Sequence, residues 1–199
     1  MTLYLGTDPT NFQYIPGLIH YPVIKTIPLP ISDFIRQEFP RFTHVLFTSK
    51  NAVEIFLQTF SLEEKKVIAI GQSTAAKLQE KGWNVDAIAQ PETQEGIIEL
   101  LSSLNLNSAY LFYPRSSLAR DHLQNYLNEQ KISHQICDLY ETVFQKPTPV
   151  PDLSTIREII FTSPSTVKAF IAAFGQIPQG KKLTCIGPIT EQALSCYSL

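Results

Sequence analysis

The chain has 199 residues, 44% of them hydrophobic, and its 16 basic and 18 acidic side chains leave a net charge of −2. That length allows one domain or two small ones, each with a core, and the near-neutral balance with no basic run interleaved with aromatics argues against nucleic acid or a membrane surface as partner. No apolar run is long enough to span a bilayer, the start MTLYLGTD is not a signal peptide, and three cysteines without CxxC spacing and four scattered histidines argue against a disulfide scaffold or metal centre.

In chain order, short apolar runs predict buried strands and the longer segments after them carry helical periodicity. LYLGT (3–7) and VIKTIPL (23–29) are strand candidates. HVLF (44–47) leads into KNAVEIFLQTF, where Val53, Phe56, Leu57 and Phe60 form one apolar stripe. VIAI (67–70) leads into a helix that Gly82 closes as its C′ residue. WNVDAIA (83–89) reads as a strand, 93–104 as a helix, AYLFY (109–113) as a strand and 117–130 as a strongly periodic helix. SHQICDLYETV (133–143) is a strand with a polar end, followed by EIIF (158–161), a helix over 165–174, LTCI (183–186) and a last helix near 189–197. Strands alternating with helices of this length imply βαβ units and parallel sheets covered on both faces.

Two proline-rich stretches, IPLP (27–30) and KPTPVP (146–151), mark extended connectors, because proline fixes φ and cannot donate to a ladder. They enclose an inserted α/β domain, 31–145, and leave 1–30 with 150–199 as a second, discontinuous one. A repeat supports two like domains: FTS recurs at 47 and 161, and IGxxT at 70 and 186, in the same order.

Ser163 before Pro164 has the pattern of an N-cap followed by proline at the first helical position, and the repeat assigns the same cap to Ser49. Each would set a hydroxyl and free N–H groups at the C-terminal edge of a parallel strand, where open α/β sheets bind ligands and where a helix dipole favours carboxylate or phosphate. For either site taken alone a plain cap is the better reading, and only the two copies together weigh as much for a ligand site as for caps. Gly71 and Gly187 end strands where a missing Cβ lets the backbone turn closely, and Thr74 and Thr190 offer hydroxyls in the first turn that follows. Neither pattern is a nucleotide loop. Arg115 and Arg120 in YPRSSLARDHL could clamp a carboxylate, although a lone Arg120 more often pairs with its neighbours on a helix surface. Tyr140 in DLYET is either a packing residue with a bonded hydroxyl or a proton donor facing a cleft. Lys181 and Lys182 precede LTCIG and read otherwise as strand-entry charges.

FTSKNAV, IGQSTA, PRSSLARDHL, the strand ending in YETV, FTSPSTV and IGPIT together resemble the uroporphyrinogen-III synthase family, in the family's order and over most of the chain from about residue 40. The resemblance implies two flavodoxin-like, three-layer α/β domains with parallel sheets, joined by two extended linkers, one inserted in the other. It implies a lyase that takes the linear tetrapyrrole hydroxymethylbilane, with eight carboxylates, expels its terminal hydroxyl, inverts ring D through a spiro intermediate and closes the macrocycle, with no metal or organic cofactor. It further implies a cytoplasmic monomer and makes the upstream hydroxymethylbilane synthase a candidate partner. Carried over residue by residue, the family's tyrosine falls on Tyr140, assisting departure of the hydroxyl. Its substrate-binding positions fall on Thr48, Ser49, Gly71, Thr74, Arg120, Ser163, Lys182 and Thr190. The sequence departs from the family in two places. LGTDPTNFQYIPGLIHYP is short, interrupted by proline and lacks the arginine usual at the first strand end. The family also continues by a further strand and helix beyond the second IG helix, where this sequence reads CYSL, so a reduced outer domain is expected. A catalytically dead tetrapyrrole binder and a two-domain small-molecule binding protein stay open as other readings.

Overall fold

The computed structural model describes residues 1–197. The elements are β1 (Thr2–Tyr4), β2 (Leu18–His20), β3 (Ile24–Pro28), α1 (Asp33–Glu38), β4 (His44–Phe47), α2 (Lys50–Phe56), β5 (Lys66–Ala69), α3 (Gln72–Glu80) and β6 (Ala87–Ile88). They continue with α4 (Gln94–Ser103), β7 (Tyr110–Ser116), α5 (His122–Glu129), β8 (Ser133–Phe144), β9 (Glu158–Phe161), α6 (Pro164–Phe174), β10 (Lys182–Cys185) and α7 (Pro188–Ser195). The chain divides into two compact units, Ile27–Glu141 and Met1–Thr26 with Thr142–Leu199. Among the described residues no helix is long and apolar enough to cross a membrane.

The unit Ile27–Glu141 is built on a sheet of order β3-β8-β7-β4-β5-β6. The pairs β8/β7, β7/β4, β4/β5 and β5/β6 are parallel. β3 lies against β8 at the edge, where Leu29 N–H donates to Leu139 O at 2.9 Å. The chain winds from β4 outward to β6, then returns through α4 to β7 on the other side of β4. The order therefore reverses between β4 and β7, and the loops leaving these two strands diverge. Both faces are covered, as buried apolar strands require. Ala52, Val53 and Phe56 of α2 and Ala75 and Leu78 of α3 pack with Phe47, Phe112 and Leu139 on one face. Ile97 and Leu101 of α4 and Leu123 and Leu127 of α5 pack with Leu46, Ile68 and Tyr113 on the other.

The second unit has four parallel strands in the order β10-β9-β1-β2. Leu3, Leu5, Ile159 and Phe161 meet Val167 and Phe170 of α6 and Leu194 of α7 in its core. Its order reverses between β1 and β9, by the same winding rule.

α1 has no counterpart in the sequence expectation and α2 stops at Phe56, short of Leu57 and Phe60; three further elements differ from it. Residues 83–89 contribute only the two-residue β6 at the sheet edge, while Trp83 and Val85 pack sideways onto the core as loop residues. The expected helix over 117–130 starts only at His122, because β7 runs on through Pro114 to Ser116 alongside β8 and residues 117–121 form the turn. A proline is tolerated there because a ladder position needs only its carbonyl. The third is the short β2, paired with β1 through Thr2↔Leu18 to Tyr4↔His20, in a stretch whose prolines hide the strand pattern. Gly82 closes α3 at φ +84°: its N–H donates to Gln79 O and Trp83 N–H to Leu78 O, the two bonds of a Schellman cap.

Candidate active site

In the first unit the point where strand order reverses carries the dipeptide Thr48–Ser49, at the end of β4. Ser49 is the N-cap of α2 in extended backbone, φ −163° and ψ 154°, and its Oγ accepts from Ala52 N–H at 3.0 Å. The same Oγ lies 2.8 Å from Tyr140 Oη. Tyr140 reaches that position through an irregularity in β8. Arg115 stands opposite Asp138, but Ser116 stands opposite Tyr140, so Leu139 is the extra residue. Strict alternation would send Tyr140 to the face opposite Leu139; instead Cys137, Leu139 and Tyr140 all enter the same core.

Burial raises the pKa of the Tyr140 phenol, with the Ser49 and Ser116 hydroxyls pulling the other way. It is therefore a neutral donor at physiological pH. Two hydroxyl protons are present in the Ser49–Tyr140 pair and one of them occupies the bond between the two oxygens. When Tyr140 donates to Ser49, the Ser49 proton is left for a ligand; when Ser49 donates, the Tyr140 proton is shared between a ligand and the neighbouring Ser116 hydroxyl.

Thr48 is half-buried beside this pair. Gly71 and Thr74 lie at the N-terminus of α3, at the neighbouring strand end. The backbone of Gly71 is extended (φ 179°), so no turn demands glycine here. The space a Cβ would take is filled by the exposed Glu92 side chain, whose Cγ and Cδ would have to swing away. Glu92 Oε1 accepts from Gln72 N–H at 2.9 Å, so this helix start already carries a carboxylate from its own chain. Thr74 is buried in the first turn.

Arg120 lies in the turn after β7 and grips Glu95 with both Nη atoms, at 2.9 and 3.2 Å. That fork holds the Glu95 carboxyl at about 2. Arg115 is buried and divided between Asp138 (2.9 Å) and Asp121 (3.4 Å). Both arginines thus stand at the same strand ends as Ser49, already engaged with carboxylates.

The second unit presents Ser163 and Thr190 at its own C-terminal strand edge. Ser163 caps α6 in a reciprocal box: Thr166 N–H donates to Ser163 Oγ at 3.3 Å and Ser163 N–H to Thr166 Oγ1 at 3.1 Å. Thr190 is buried and donates its hydroxyl to Ile186 O at 3.0 Å. Lys182 is not brought to this edge. It is the first residue of β10, at the opposite end of the strand, and its Nζ is 2.8 Å from Glu158. A strand of four residues separates the two ends by about 10 Å.

One residue at the first unit's edge escaped the sequence reading. Tyr113, three residues before the end of β7, is fully buried, and its hydroxyl has no hydrogen-bond partner among the described residues. A tyrosine in an apolar strand such as AYLFY looks like core, and only the fold shows its hydroxyl stranded.

A family model described as uroporphyrinogen-III synthase HemD matches residues 17–199. The chain belongs to the uroporphyrinogen-III synthase family. That family comprises cyclising lyases of porphyrin biosynthesis. The porphyrin biosynthesis protein HemD of Ruminiclostridium josui is 27% identical over 98% of this chain, which spans only 40% of that protein's length. The uroporphyrinogen-III synthase of Chlorobaculum parvum is 21% identical over 92% of this chain and 80% of its own. The crystal structure of uroporphyrinogen-III synthetase from Helicobacter pylori superposes with a TM-score of 0.69, covering 98% of this chain and 87% of that one at 23% identity. The match to that synthetase carries the mixed α/β fold with parallel sheets.

Proposed function

We propose that this member of the uroporphyrinogen-III synthase family cyclises hydroxymethylbilane with inversion of ring D, losing water, and uses no metal or organic cofactor. The observation that carries the reading is the Ser49–Tyr140 hydroxyl pair, buried on one side and placed at the point where strand order reverses. The reaction needs a proton delivered to a departing hydroxyl, so that it leaves as water, and polar groups that hold a polyacid. A neutral phenol supported by Ser49 fits the first need, and Tyr140 is assigned the hydrogen bond to the leaving hydroxyl. Thr48, Ser49, Gly71, Thr74 and Arg120 are assigned to substrate carboxylates on the one unit. Ser163, and Thr190 once its hydroxyl leaves Ile186 O, are assigned to carboxylates on the other; Lys182, at the opposite end of β10, is not. For Arg120 this requires exchanging Glu95 for a substrate carboxylate, a swap between like partners at an exposed site, and at the start of α3 it requires displacing Glu92 from Gln72 N–H.

In the same reading the two units are flavodoxin-like domains joined by extended linkers. The enzyme works as a cytoplasmic monomer and takes its substrate from hydroxymethylbilane synthase. Incubation with enzymatically generated hydroxymethylbilane tests the activity. Isomer III in excess over the spontaneous isomer I is expected. Isomer I alone would reduce the chain to a tetrapyrrole binder.

A further inference from the structure

The stranded Tyr113 hydroxyl is the strongest unexplained feature of the first unit. A buried hydroxyl without a partner costs roughly 1–3 kcal/mol, and native folds seldom keep one without use. Its surroundings narrow what that use is. The β4/β7 register runs His44↔Leu111 and Val45↔Phe112, so it sets Leu46 opposite Tyr113. Thr48 then lies two residues further along β4, on the same face and diagonally toward the strand end, within reach of a tyrosine side chain. Ser49, one residue on, projects to the opposite face and meets Tyr140. Each hydroxyl of the Thr48–Ser49 dipeptide thus has a buried tyrosine on its own face of the sheet.

The other polar neighbours of Tyr113 already carry bonds of their own, Gln94 Oε1 keeping a second lone pair. Gln94 is buried and uses both ends of its amide, Nε2 donating to Arg120 O at 3.2 Å and Oε1 accepting from Leu123 N–H at 3.3 Å. Arg115, whose guanidinium lies 6.0 Å from the Tyr113 ring centre, can only donate and is held by two aspartates. Thr48 stands on the face of Tyr113 at the strand end, with one donor and two acceptor sites on its hydroxyl. Burial raises the Tyr113 pKa and so keeps the phenol a neutral donor, and the Thr48 side chain is foremost among the groups opposing that rise.

We propose that Tyr113 is a positioning residue for Thr48, its O–H donating to Thr48 Oγ1 when the Thr48 hydroxyl donates to a carboxylate of the bound tetrapyrrole. The idea rests on the reading that this strand edge binds a polyacid. In the free protein the phenol is unpaired, whereas in the complex it gains a partner, so its bond counts toward binding. Donation by Tyr113 also fixes the Thr48 proton outward, and each bond in such a chain polarises the next.

Tyr113→Phe and Thr48→Val, singly and together, test this, with uroporphyrin III as an octacarboxylate probe read by fluorescence and hydroxymethylbilane turnover read in parallel. Tyr113→Phe is expected to weaken probe affinity and raise KM about fivefold, the worth of one hydrogen bond, and Thr48→Val, which removes both bonds, about 25-fold, with kcat within about twofold in each. The double variant should lose no more than Thr48→Val alone, and Thr48→Ser should keep near-native affinity. Tyr113→Phe should melt no lower than the parent, since it removes an unpaired group. Unchanged affinity in Tyr113→Phe, or losses that multiply in the double variant, overturns the proposal. A parent that binds the probe but yields only isomer I refutes the synthase activity, while the affinity ratios still decide the role of Tyr113. A parent that does not bind the probe overturns both.

Discussion

Ser49 Oγ and Tyr140 Oη meet at 2.8 Å across 91 residues of sequence, and the contact depends on one surplus residue in β8. Leu139 interrupts the alternation between Asp138 and Tyr140 and turns the phenol onto the face where Ser49 caps α2. A bulge that re-aims one side chain at a strand end is a common device next to reactive groups. The cap thereby does two things: it accepts the Ala52 N–H and ties the helix start to the phenol.

Tyr140→Phe keeps the ring in its core and removes only the hydroxyl. Stability should change by no more than about 1 kcal/mol, since Ser49 can turn to water. The rate of isomer III formation should fall by about a hundredfold, the lower end of what a positioned proton donor supplies. Chemical denaturation and steady-state kinetics on the same preparation check both numbers. A full-rate Phe variant would make Tyr140 a packing residue.

The pair Arg120–Glu95 makes a pH-dependent contribution whose sign follows from the lowered Glu95 carboxyl, about 2 against an ordinary 4.5. The folded form holds its proton more weakly than the unfolded form. The stabilisation is therefore complete above about pH 4.5 and is lost as pH falls toward 2. Both side chains are about half exposed, so water screens the pair and its worth is about 0.5 kcal/mol. Urea unfolding of the parent and Glu95→Gln at low salt should differ by that amount at pH 6 and converge near pH 2. A gap that widened on acidification would contradict the assignment.

Much of this fold can be read from residue order, and the parts that cannot share a physical cause. HVLF, VIAI and EIIF announce buried strands because they are short, apolar and bounded. Ser163 before Pro164, Ser49 by repeat and Gly82 announce helix ends because capping is local chemistry. The Leu139 bulge is set by a neighbouring strand, so no local pattern encodes it. Arg120 with Glu95, Lys182 with Glu158 and Glu92 with Gln72 N–H join residues 20 or more apart, and each shows only after folding that a candidate ligand group already has a partner. Tyr113 is hidden for the opposite reason: the strand leading up to it is apolar, and its polarity becomes a problem only when burial leaves the hydroxyl unpaired.

The three cysteines should separate by reactivity. Burial, with Asp138 adding to it, pushes the Cys137 thiol up to about 11, and Cys185 is raised by burial and by Glu191. Cys196 is exposed. Since the thiolate is the reactive form, iodoacetamide at pH 8 should label Cys196 first, Cys185 more slowly and Cys137 only on unfolding. Peptide mass spectrometry over a time course follows the order, and early labelling of Cys137 would mean that β8 opens in the native state.

Two glycines near Glu92 predict very different costs for the same added methyl group. At Gly96, in the first turn of α4, a Cβ would lie 2.0 Å from Pro91 O and 2.9 Å from Pro91 N. These are backbone atoms, so α4 and the segment before it must separate, and Gly96→Ala should cost about 3 kcal/mol or more. At Gly71 the Cβ would meet only the Glu92 side chain, which is exposed and can swing away. That costs the 2.9 Å bond from Gln72 N–H and little else, about 1 kcal/mol. Urea denaturation of the two variants should show the ordering directly. Equal losses would mean that Glu92, not the backbone at Pro91, is the rigid partner at this end of the sheet.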